Sequence, residues 1–147
     1  MRLHFGTLLG TGLAVLATAC SAEPTLPPPA DLVDGPAPVV ITLPTGVVRA
    51  GQVLRITQTN TGTAALMYNH CNRKVDRAVD TGWDRLPPEL RLCTADLHTL
   101  APGASAEVWV DVPADAKPGN HRFALQFWRE STREVLEAVS PTFRVED

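Results

Sequence analysis

Four side chains stand close enough in the sequence to suggest chemistry: His70 beside Cys71, then Cys93 and His98 further on. A thiolate with two imidazoles is the donor set of a trigonal copper centre, to which Cys93, His98 and the upstream His70 would each give one ligand. Two observations oppose that use. No methionine follows His98, and Cys71 offers Cys93 an oxidation partner. The expectation is therefore surface histidines beside a disulfide, with no metal and no cofactor. Asp80-Thr81-Gly82 is the other arresting triplet, able in the right setting to hold one of two carboxylates that share a proton. That setting needs a small residue after the glycine and a downstream apolar pair plus glycine. Trp83 follows instead, and the second element is missing. The same triplet is good turn chemistry between Val79 and Trp83, so a hairpin is expected. Ser105, Ser131 and Ser140 lie in polar contexts, and the sequence holds no Gly-x-Ser-x-Gly elbow and no His-Glu-x-x-His helix. No catalytic residue is assigned, and the chain is read as a non-enzyme.

The elements that would position these residues are short apolar runs between turns. Strands are expected at Val39–Leu43, Val53–Thr59, Ala64–Cys71, Val75–Val79, Trp83–Leu86, Leu90–Leu97, Ala106–Val112, Arg122–Trp128, Val135–Val139 and Thr142–Val145. Val108, Val110 and Val112 alternate against Trp109 and Asp111, while Phe123, Leu125 and Phe127 alternate against Arg122, Gln126 and Trp128, so these two strands should centre the core. Turn signals recur at 60–62, 80–82, 101–103 and 117–120. The fold class is all-β, an antiparallel sandwich over 39–147. Arg73, Lys74, Arg77, Arg85 and Arg91 interleave with Asp76, Asp80, Asp84 and Glu89, which reads as a solvated hairpin face. Trp109 and Trp128 fall out of phase with the apolar faces of their strands, and a covering strand or loop is expected over them.

The chain of 147 residues carries 13 basic and 16 acidic side chains, net −3, far from the balance that phosphate neutralisation wants. Nucleic acid is not an expected partner. Residues 1–19 place Arg2 before an apolar run from Leu8 to Leu16 and then Ala17-Thr18-Ala19, which is the order of a secretory signal. Cys20 comes next, and Ala-Thr-Ala-Cys resembles the lipobox of bacterial lipoproteins. That resemblance implies lipid (palmitate among its acyl groups) on Cys20 and the bacterial cell envelope as the address, either the outer membrane or the extracytoplasmic face of the plasma membrane. Ala17 departs from the commoner leucine. With Cys20 so assigned, Cys71 and Cys93 remain in an oxidising compartment as one expected disulfide. The loop it closes is worth roughly 3 kcal/mol in the chain-entropy model. Residues 20–38, rich in proline, read as an extended linker.

The path "TQTNTGTAALMYNHC", "RAVDTGWDRL", "LHTLAPGASAEVWVDVP" and "KPGNHRFALQF" resembles the immunoglobulin-like domain of uncharacterised bacterial lipoproteins. More distantly it is similar to the bacterial intracellular proteinase inhibitor fold. His121 stands where such domains often carry tyrosine, and the two cysteines lie too close together for the intersheet bridge of antibody domains. The resemblance implies a lipid-anchored, non-catalytic binding or structural module. It also suggests as an alternative an inhibitor that presents Asp80–Trp83 or Pro113–Asn120 to a protease; a copper-binding or enzymatic sandwich is the second alternative. The expected partners are the membrane, through Cys20, and an envelope protein or ligand that the residues do not name.

Overall fold

The computed structural model describes residues 33–87, 94 and 96–147. The expected signal peptide, Cys20, most of the linker, Cys93 and most of the strand expected at 90–97 lie outside the described residues. Within them the chain is all-β: β1 (Gly35–Pro36), β2 (Val39–Thr42), β3 (Val48–Arg49), β4 (Val53–Asn60), β5 (Leu66–Val79), β6 (Gly82–Arg85), β7 (His98–Leu100), β8 (Ser105–Asp111), β9 (Gly119–Trp128), β10 (Val135–Val139) and β11 (Phe143–Glu146).

These strands form two sheets. The smaller runs β2-β4-β8, antiparallel throughout. The larger is built on β9, which pairs with β5 along one edge and with β11 and then β10 along the other. The alternation read in β8 and β9 is what joins the layers: Val108 and Val110 of one sheet and Phe123, Leu125 and Phe127 of the other are buried in a single core with Ile56, Leu66 and Val145. Ser140 Oγ accepts a hydrogen bond from the Phe123 backbone N–H at 2.9 Å, which fastens the turn between β10 and β11 to β9.

The structure departs from the sequence reading in two places that matter later. The strands expected at 64–71 and 75–79 are one strand, β5, of 14 residues. Between the pairs Tyr68–Phe127 and Arg73–Leu125 the register slips, five steps along β5 against two along β9. The polar run Asn69-His70-Cys71-Asn72 reads as a break because its surplus residues leave the ladder, yet the strand resumes beyond it. The folded part also reaches back into the proline-rich stretch. The Asp34 N–H donates to Val135 O at 2.7 Å, the Val135 N–H donates to Asp34 Oδ2 at 2.7 Å, and β1 runs parallel to β10. Pro36 is tolerated there because β1 is an edge strand and its missing N–H breaks no inner ladder.

Asn60, fully buried at the end of β4, shows how the turn signals act. Its Nδ2 donates to Ala64 O at 2.8 Å and to Leu100 O at 3.0 Å, and its Oδ1 accepts from the Gly62 N–H at 2.9 Å. That last bond draws the chain so tight that a Cβ on Gly62 would meet Pro38 Cγ at 2.7 Å. Gly62→Ala is therefore expected to destabilise the domain by about 1–3 kcal/mol through overpacking against a stiff ring. Urea unfolding of the variant measures it, and an unchanged midpoint would show that Pro38 moves aside.

Candidate functional site

The slip in β5 is what brings chemistry together. Asn69 Oδ1 accepts the Cys71 N–H at 2.6 Å and so holds the displaced residues in a local turn. His70 is carried on that turn and His98 opens β7, which pairs with the start of β5. Their rings meet with centroids 4.4 Å apart at 63°. Tyr68 completes the group, 5.5 Å from His70 and 5.3 Å from His98. Both histidines are half-buried rather than freely solvated, so the expectation of surface histidines is corrected. Burial, with the nearby His98 and Arg73, holds His70 below the ordinary imidazole range, against a smaller opposing pull from Asp96. That direction favours the neutral ring over the charged one. Burial raises the Tyr68 phenol, and its hydrogen bond to Gln58 of β4 works the other way while tying the two sheets together behind the histidines.

Cys71 is a disulfide-bonded cysteine whose partner falls outside the described residues. Its Sγ lies 3.2 Å from Thr94 O, next in sequence to Cys93. The structure therefore brings His70, His98 and Cys71 into one neighbourhood; Cys93 lies outside the described residues. Among the described residues no group of three or more His, Cys, Asp or Glu side chains is arranged to hold a metal ion. Tyr68 and Gln58 were not singled out from sequence. The signal available was Tyr68 two positions before His70, hence on the same side of a strand.

Asp80-Thr81-Gly82 is a hairpin turn. Val79 pairs with Gly82 across a two-residue loop, and the positive φ of 138° falls on the glycine. Asp80 and Thr81 are both exposed, and that turn is one of the loops considered for protease contact. The hairpin is not wholly a solvated charged face. The Asp76 side chain is only 3% exposed, and its two oxygens accept from Arg85 Nε at 2.9 Å and Arg122 Nε at 3.0 Å. Arg85 also reaches Glu137 Oε1 at 3.0 Å, and Arg122 lies 4.4 Å from the centre of the Trp83 ring. The hydrogen bond to Asp76, assisted by Glu137 against partial burial, raises the pKa of Arg85 above its ordinary value.

The two tryptophans of the core strands part company. Trp128 is buried, as expected of a covered residue, but Trp109 is 59% exposed on the outer face of the smaller sheet. The expected cover over Trp109 is therefore corrected: β8 is an edge strand, and its outer face is open among the described residues. Arg55 of β4, directly across from Trp109, sits 5.8 Å from the ring centre and is hydrogen-bonded to Glu107. Val40 and Val53 are exposed on the same sheet. From the inner side Arg73 bridges the layers, donating to Trp109 O and pairing with Asp111 Oδ2 at 2.7 Å. An open groove of about 610 Å³ lies at another edge, lined by Val40, Leu43, Pro44, Val47, Leu54 and Phe143 among others.

The sequence matches no protein-family model and no curated protein. In fold the chain is similar to the crystal structure of Northeast Structural Genomics Consortium target SoR45, with TM-score 0.50, 14% identity, and 74% of this chain and 86% of that one covered. Weaker likenesses are to the Pseudomonas fluorescens alkylpurine DNA glycosylase AlkC bound to DNA containing an abasic site analog (TM-score 0.35, 19% identity, 76% of this chain, 31% of that one) and to the ASH/PapD-like domain 7 of human CEP192 (TM-score 0.33, 12% identity, 91% and 94%). At these identities the first likeness speaks to fold alone.

Proposed function

We propose that this is a lipid-anchored envelope protein whose immunoglobulin-like sandwich serves as a non-catalytic binding module, with the sheet β2-β4-β8 as its contact face. The observation that carries the reading is the exposed Trp109 beside the Arg55–Glu107 pair. A large ring carried on a sheet strand offers a partner much apolar area at little entropic cost, and such rings are over-represented where binding energy concentrates. A mobile charged side chain there would offer far less.

The address rests on Cys20 after Ala17-Thr18-Ala19. Acyl chains on both sulfur and N-terminus provide more than one lipid, the condition for stable anchoring. The staple is a Cys71–Cys93 disulfide. Support for it comes from Cys71 being disulfide-bonded and close to Thr94.

Cys20→Ser is expected to move the protein from the membrane pellet to the soluble envelope fraction, and retention in the pellet would overturn the lipid anchor. For the contact face, full-length protein and Trp109→Ala are compared as baits in detergent-solubilised envelope. A partner recovered by the wild type and lost by at least about tenfold in the variant supports the face, since a central aromatic carries about 2 kcal/mol or more. Equal recovery would remove it.

A further inference from the structure

The pairing of His70 with His98 goes beyond a contact between rings. Two imidazoles from separate strands, both half-buried, meet edge-on with a tyrosine against both. A metal–nitrogen bond is about 2.0 Å, and an imidazole nitrogen stands about 1.1 Å from its ring centre. A metal bound to both rings is thus about 3.1 Å from each centre. Rings held at a right angle about the metal then have centres about 4.4 Å apart, and rings at the tetrahedral angle about 5.1 Å. The observed spacing is 4.4 Å. Rings at that spacing allow one ion to be shared by two neighbouring imidazole nitrogens.

From this geometry we propose that His70 and His98 form a two-imidazole site for a divalent transition ion of tetragonal preference, Cu(II) foremost. The protein gives two cis ligands, and water or a small exogenous ligand completes the square, because no third His, Cys, Asp or Glu among the described residues is placed to bind. Such a site differs from the trigonal centre weighed from sequence, which took a thiolate from Cys93 as its third ligand. Imidazole suits copper and nickel as well as zinc, and of these copper binds a given nitrogen site most tightly.

The test is Cu(II) titration of the full-length protein in detergent, followed by calorimetry and electron paramagnetic resonance, with His70→Ala and His98→Ala alongside. One equivalent of copper should bind with an axial, tetragonal spectrum showing nitrogen couplings from two imidazoles. No intense thiolate band should appear. Each variant should lose that equivalent or weaken it by at least about tenfold. Unchanged copper binding in both variants, a spectrum without imidazole nitrogens, or tighter binding of Zn(II) than of Cu(II) would overturn the proposal. Nitrogen counting on the wild type decides the matter even where a variant folds poorly.

Discussion

Phe127→Ala is expected to destabilise the domain by about 3–5 kcal/mol, the largest cost of any single truncation considered. Phe127 is fully buried at the middle of the molecule. It sits between Leu136 on one side and Tyr68 on the other, with the Tyr68 ring 6.1 Å away. Both neighbours are fixed in sheet ladders, so neither can collapse into the space the ring vacates. The cavity therefore stays largely open, which is the condition for the upper part of that range. The loss has a second reading. Tyr68 packs on Phe127 from within and on His70 and His98 from without. Chemical denaturation gives the stability change, and the histidine ring resonances should broaden or shift in the same variant. A loss under about 1 kcal/mol would mean that the two layers close over the gap.

Asp76→Asn is expected to cost about 2–3 kcal/mol. Breaking a fully buried ion pair costs about 3–5 kcal/mol because the surviving charge is stranded. Here the surviving side chains, Arg85 and Arg122, keep 38% and 25% exposure and can turn toward water, so the figure is discounted. Asparagine fits the space but keeps one acceptor oxygen for two guanidinium donors and sets an N–H₂ against the other. Trp83 should feel the change through Arg122, so its fluorescence reports the network as denaturation reports the energy. Since Asp76 is buried, the penalty should persist at high salt, unlike that of an exposed pair. A midpoint shift that vanishes in salt would contradict the buried-network reading.

Periodicity made β8 and β9 legible, because each sends alternate residues (Val108 and Val110; Phe123, Leu125 and Phe127) into a shared core, even though the other face of β9 is buried as well. It failed at β5 for a physical reason: the alternation of a strand is lost wherever the ladder slips, and the slip lies under Asn69–Asn72. That failure hid the histidine pair. His70 and His98 were noticed as residue types, but only the displaced turn and the pairing of β7 with β5 set them ring to ring. β1 was hidden differently. Two residues, one of them proline, carry no pattern, and the hydrogen bonds that recruit them come from Asp34 and the β10 backbone. Asp76 read as one of several exposed charges, since nothing local distinguishes a carboxylate that two distant arginines enclose. Trp109 and Trp128 shared one sequence signature and diverged because one faces outward from an edge strand while the other lies in the centre of the larger sheet.

The intact mass of the mature protein, purified from membranes without reducing agent, tests the central claim most directly. A chain beginning at Cys20, heavier by acyl groups on its sulfur and amine and lighter by the two hydrogens that a Cys71–Cys93 bond releases, is the predicted result. A chain that still begins at Met1 with three free thiols would contradict it.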